Sequence, residues 1–141
     1  MTPRGIKNNN PGNIRHGTQT WAGEDIKSHD PAFVCFKTPE YGIRAIMKIM
    51  RTYYDKYSLI TIRMIITRYA PPSENNTEAY IADIAKRSGI EADHVIDDII
   101  PVLIPIVQVI VLHENGHAPD GSPAYWYEDS VYEKAKAMAL S

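Results

Sequence analysis

Glu114 offers the clearest chemistry in the chain. It closes the apolar run Val107-Gln-Val-Ile-Val-Leu-His113 and is followed at once by Asn115-Gly116. An apolar helix strips water from a carboxylate, and a helix C-terminus adds partial negative charge. Both favour the protonated form. A carboxylic acid that keeps its proton near neutral pH is the general acid that glycoside cleavage needs. The plain alternative is a glutamate pointing to solvent at a frayed helix end.

The same residues spell a second pattern. His113-Glu-Asn-Gly-His117 matches H-E-x-x-H, in which two histidines on one helical face hold zinc and the Glu serves as base. That needs the helix to run through His117, yet Asn115-Gly116 is a helix stop and Pro119 follows closely. No histidine follows His117, so a third ligand would have to be Glu128 or Glu133. A zinc peptidase is the runner-up enzyme; the preferred reading uses no metal and no cofactor. His16, His29 and His94 are expected at the surface.

A glycosidase needs a second carboxylate and a platform for sugar. Glu24, Asp25 and Asp30 are the nearby acids in the N-terminal region. Asn side chains both donate and accept hydrogen bonds, which suits sugar hydroxyls and N-acetyl groups. Asn10 and Asn13 are therefore candidate glycan contacts, although Asn is also a common turn residue. Trp21 can offer a flat face to a sugar ring or anchor a core. Glu74-Asn-Asn-Thr77 forms a polar loop ahead of Tyr80. The Tyr80 hydroxyl could reach a cleft, but a tyrosine on a helix face is more often a core residue.

These side chains must be positioned by very different segments. Residues 1–37 hold half of the glycines (Gly5, Gly12, Gly17, Gly23) and little helical periodicity. Asn10-Pro-Gly-Asn13 reads as a tight turn and Phe33–Phe36 as a short strand, so loops with a small hairpin are expected. From Thr38 the chain reads as helical. Thr38 is an N-cap, Pro39 suits the first helical position, and apolar residues recur from Ile43 to Tyr57. A second helix is expected from about Thr61 to the stop at Pro71-Pro72, with Ile62, Ile65, Ile66 and Tyr69 inward. A third should run from after Thr77 to Ser88, with Gly89 as its stop. The stretch from about Asp93 to Asn115 reads as one or two helices, apolar all round in its second half and so buried on every side. A last helix is expected over Ser130–Ala139.

Composition bounds the rest. The chain has 141 residues, one domain's worth, with 44% hydrophobic and 23% charged residues. Fifteen basic against 17 acidic residues give a net charge of −2, which excludes a global basic field for nucleic acid but not a local patch. The single cysteine, Cys35, excludes an internal disulfide and a cysteine-based zinc site. The N-terminus does not read as a signal peptide, and the apolar run 99–112, broken by Pro101 and Pro105, is too short to span a membrane.

Several strings occur together in order: Arg4-Gly-Ile-Lys-Asn-Asn-Asn-Pro-Gly-Asn-Ile-Arg15, Trp21-Ala-Gly23, Asp30, Phe33, Phe36, Pro39-Glu-Tyr-Gly-Ile-Arg-Ala45, Tyr69-Ala-Pro-Pro-Ser-Glu-Asn-Asn-Thr-Glu-Ala-Tyr80 and Glu114-Asn-Gly116. Over about residues 4–116 the chain thereby resembles phage-encoded lysozyme-like proteins, some of them virion structural proteins. It is also similar, more weakly, to flagellar-type peptidoglycan glucosaminidases. Those carry a Glu-Ser-Gly helix end before their Asn-x-x-Gly-Ile-Lys and Trp-x-Gly strings; here the Glu-bearing helix comes last, as in a circular permutation.

The resemblance implies a mainly α, lysozyme-like single domain with a small loop or β lobe and a glycan cleft between the two. It implies Glu114 as the catalytic acid, with Asp30, or its rival Glu24, as the second group. If neither faces Glu114, the sugar's own 6-hydroxyl would attack, as in lytic transglycosylases, and leave a 1,6-anhydro product. Residues 117–141, including Tyr125-Trp-Tyr127, lie outside the resemblance; they are expected to pack on the core, with extension of the glycan site by Trp126 and its neighbours as the alternative. The expected partner is the peptidoglycan glycan strand, met by a monomer delivered to the cell wall by a holin, a virion or a secretion machine. A non-catalytic virion or wall protein that binds glycan without cutting it is the non-enzymatic alternative.

Overall fold

A computed structural model describes residues 2–141. Six α-helices carry the fold: α1 (Arg4–Lys7), α2 (Pro39–Asp55), α3 (Ile62–Tyr69), α4 (Thr77–Ser88), α5 (Leu103–Asn115) and α6 (Asp129–Leu140), with a 3₁₀ turn at Ile100–Val102. The protein is mainly helical and has no sheet among the described residues.

Helix α5 is the axis. Its residues are apolar on all sides, and Leu103, Ile106, Val107, Ile110 and Val111 have no exposed surface. Helices α2, α4 and α6 and the turn before α5 surround it. Gln108 is the one polar side chain buried within it, and its Oε1 accepts from Arg87 Nε and Nη2 at 3.2 and 2.9 Å. A buried amide oxygen left without such donors would cost about 1–3 kcal/mol. Helix α2 turns Ile43, Ile46, Met47 and Met50 inward at helical spacing, and each fully buried side chain of this size is worth about 1.5–3 kcal/mol.

The helix ends follow local chemistry. The Thr61 side chain accepts from Met64 N at the start of α3, and Asn76 accepts from Ala79 N at the start of α4. The latter helix therefore begins at Thr77 rather than after it. Gly89 closes α4 with φ 73°, a left-handed conformation that glycine takes without strain. Residues 93–99, expected within a helix, are irregular; the regular helix starts only after Pro101.

Residues 2–37 form a lobe of turns. The expected hairpin is absent among the described residues, where only isolated bridges pair Arg15 with Phe33 and Glu24 with Phe36. Side chains replace the missing ladder. Asn10 is fully buried; its Nδ2 donates to Ile14 O and Val34 O, and its Oδ1 accepts from Ile14 N. Asn9 Nδ2 donates to Phe36 O. Asn9 and Asn13 take φ of 53° and 51°, a region asparagine tolerates better than most residues. The lobe sits directly on α2: a Cβ at Gly42 would stand 1.9 Å from the Asn9 carbonyl oxygen. Val34, Phe36 and Ala45 form a small second core there, with Trp21 and Tyr41 against it.

The C-terminal residues belong to the same body. Tyr132, Ala135 and Ala139 on α6 are fully buried along α2, and Trp126 Nε1 donates to Gly116 O at 2.9 Å. Tyr125-Trp126-Tyr127 thus docks the tail on the core. No helix among the described residues is long and apolar enough to cross a membrane.

Candidate active site

Glu114 stands in the last turn of α5, where the buried axis reaches the surface. Gly116, at φ 78°, ends the helix directly after it. Two other elements meet the carboxyl group. Tyr80, from α4, donates to Oε2 at 2.5 Å, and Asn13, from the N-terminal lobe, donates to Oε1 at 3.4 Å. The adjoining Asn115 Nδ2 donates to Pro11 O at 2.8 Å, so the end of α5 also grips the lobe.

A chain of contacts stands behind Tyr80. His113 stacks on its ring with centroids 4.2 Å apart, and His113 Nε2 meets Asp83 Oδ2 at 2.6 Å. Tyr80 and Asp83 lie three residues apart on α4 and so face the same way. Tyr80 is 3% exposed, and burial, reinforced by the Glu114 charge, pushes its phenol well above the ordinary value. It stays protonated and serves as a fixed donor. Tyr69 is shifted upward for the same reasons in the same order, and its hydroxyl donates to Gly12 O at 3.0 Å. The α3 end is thereby tied to the lobe across the cleft floor.

Glu114 opens into a cleft of about 640 Å³. One wall is the lobe, with Asn13, Arg15 and Phe33. The other comes from α2, α3 and the turn before α4, with Tyr53, Arg68, Tyr69 and Glu74. A buried-helix acid, hydroxyl and amide donors, a second exposed carboxylate and aromatic surface therefore share one groove. Such a set can protonate a leaving oxygen and hold a polar, ring-containing chain.

The expected site residues are distributed unevenly. Asn13 touches Glu114 and lines the cleft, and Trp21 lines an adjoining hollow. Asn10 does not line the cleft: it is sealed in the lobe with its amide spent on backbone groups. Tyr80 is likewise a buried holder of Glu114 rather than a surface for sugar. Asp30 and Glu24 line a separate hollow with His16 and Cys35, not the Glu114 cleft. Asp30 is clamped by Arg4 at 2.6 and 2.7 Å and accepts from Asn8 Nδ2, Ala32 N and Phe33 N. The Arg4 hydrogen bonds above all, then those other donors, hold its carboxyl far below the usual range. Glu24 accepts from Trp21 N and braces its own turn.

Glu74 is the carboxylate that spacing did not single out. It lies on an exposed turn after Pro71-Pro72, with no periodic or capping signal to mark it. The histidines of the H-E-x-x-H string are separated by the helix end: His113, within α5, faces Asp83 on α4, and His117 lies beyond Gly116. Among the described residues, no three His, Cys, Asp or Glu side chains are grouped to hold a metal ion.

No family model matches the chain. It is 42% identical over 119 residues to Protein P5 of Pseudoalteromonas phage PM2, a match covering 82% of this chain and 73% of that protein.

Proposed function

The chain belongs to the same family as that bacteriophage protein, and from this premise and the Glu114 cleft we propose that it cleaves the glycan strand of peptidoglycan. A bacteriophage has to pass its host's wall on entry and exit, and an enzyme of this kind would act there after delivery by a lysis or virion apparatus. The helical arrangement is read as lysozyme-like with the acid-bearing helix placed last, as in a permuted glucosaminidase domain.

The observation that carries the reading is the setting of Glu114. A carboxyl group at the surface end of a largely buried apolar helix is held at both oxygens and opens into a polar cleft. The short bond from Tyr80 fixes Oε2. The longer one from Asn13 leaves Oε1 the looser oxygen, and this is the one that delivers the proton to the glycosidic oxygen. As that C–O bond breaks, positive charge spreads over the sugar ring as an oxocarbenium-like state. Glu74, in the same cleft, takes the role that the resemblance implies for Asp30 or Glu24: it orients water or stabilises that charge. If the sugar's 6-hydroxyl attacks instead, Glu114 returns as base and a 1,6-anhydro end forms.

The test is release of glycan fragments from purified sacculi, with a chelator present and products read by mass spectrometry. Wild type should release muropeptides, and Glu114→Gln should lose about a hundredfold or more of that rate, the scale of a general acid's contribution. Tyr80→Phe should retain the fold and lose about tenfold, because the carboxyl loses one of its two holds. Reducing or anhydro ends name the reaction. Absence of fragments from the folded wild type, or equal release by Glu114→Gln, would overturn the reading.

A further inference from the structure

The groove does not end at the Glu114 cleft. Ile49 and Tyr53, one turn apart on α2, line that cleft and also line a second hollow of about 520 Å³. Trp21 and the turn before it wall this hollow on one side; Arg44 and Lys48 of α2 wall it on the other. Residues four apart on a helix lie above one another, so Arg44 and Lys48 form one cationic stripe about 6 Å long beside the Ile49–Tyr53 ridge. Neither residue pairs with a carboxylate among the described residues, whose ion pairs use Arg4, Arg51, Arg63 and His113.

The cations continue on the Glu114 side. Arg15 lies over Phe33 and Arg68 over Tyr53, at 4.8 and 5.4 Å from the ring centres, and both line the cleft. They too have no acidic partner among the described residues. A chain of net charge −2 therefore gathers four unpaired cations along one groove that contains only Glu74 and Glu114 as acids. Neutral sugars do not require this. A carboxylate-bearing strand does, because guanidinium and ammonium groups supply charge-assisted hydrogen bonds to it.

We propose that the Trp21–Arg44–Lys48 hollow is a further subsite of the same groove and takes a carboxylate borne on the O3 substituent of N-acetylmuramic acid. The Trp21 ring supplies a face for the sugar, and the Arg44–Lys48 stripe reads the acid beside it. The groove thereby selects acidic peptidoglycan over neutral glycans of similar backbone. This rests on the function proposed above, but its test does not require turnover.

The test measures co-sedimentation of the Glu114→Gln protein with purified sacculi, native or carbodiimide-amidated. Native sacculi should bind about three- to tenfold more tightly, the scale of two exposed ion pairs, and added salt should erase the difference. Adding Arg44→Gln and Lys48→Gln should remove most of the preference, leaving what Arg15 and Arg68 supply, without lowering the thermal transition, and Arg44→Lys with Lys48→Arg should keep it. Lys134→Gln with Lys136→Gln, on α6, removes as much charge elsewhere and should change nothing.

Strands stripped of stems by an amidase carry the lactyl acid instead. Retained affinity assigns the carboxylate to that acid, and lost affinity assigns it to the stem. The subsite is overturned if amidation has no effect, if the α6 pair loses as much as the groove pair, or if single-stranded DNA binds more tightly than native sacculi. A wild type that cuts sacculi while this preference is absent defeats the subsite alone. A preference without cutting defeats the catalytic reading alone.

Discussion

The lobe of residues 2–37 and the helical body that follows it are held together by different forces. The body is built on apolar burial: α5 and the inward faces of α2, α3 and α4 form one continuous core. The lobe buries little beyond Val34 and Phe36 and is held by Asn9, Asn10 and the Arg4–Asp30 pair. Burial is non-directional and scales with area, whereas a polar clamp depends on every donor meeting its acceptor. The cleft lies along the seam between them, with its acid supplied by the body and its near wall by the lobe.

Substitutions on either side of the seam should separate the two. Ile110→Ala, at a fully buried position of α5, should cost about 2–5 kcal/mol by leaving a cavity and should lower the whole unfolding transition. Asn10→Ala should cost about 1–3 kcal/mol by orphaning the Ile14 and Val34 backbone groups. Its effect should be local: amide exchange should speed up in the lobe while the centre of α5 keeps its protection. Equal loss of protection in both would show the lobe and body to be one cooperative unit.

Asp30→Asn should have the smallest effect, and one that depends on pH. The Arg4 hydrogen bonds depress the Asp30 carboxyl below its ordinary value of 3.8, so its stabilisation is fully present above that value and lost as pH falls toward the folded-state value. The gap in thermal midpoint between wild type and Asp30→Asn should be steady from neutral pH down to about 4 and shrink below it. A gap that persists undiminished in acid would mean that shape rather than charge holds the lobe.

The helices were legible because helical burial leaves a period in the chain. Ile62, Ile65 and Ile66 mark an inward face, and Gly89 and Gly116 mark the stops of α4 and α5. The lobe leaves no such period, so neither its bridges nor the short helix α1 is legible in the sequence, and Phe33–Phe36 reads as a strand. The same contrast divides the candidate site. Glu114 stood out because an acid at the end of an all-apolar helix is visible in one dimension. Asn10 and Tyr80 looked like ligand contacts because residue type does not say which way a polar group faces.

The order of apolar and capping residues by itself determined that this protein is mainly helical, that the apolar second half of the stretch ending at Asn115 is a buried helix, and that Glu114 stands at its end. Those are local consequences of spacing, and they need no knowledge of what lies opposite. Only the tertiary structure decided that Tyr80 and Asn13, 34 and 101 residues away in sequence, hold the Glu114 carboxyl. It likewise decided that Asp30 is spent on Arg4 while Glu74 shares the cleft. Such pairings depend on how the lobe and α4 close around the end of α5, a relation between distant segments that no local spacing encodes.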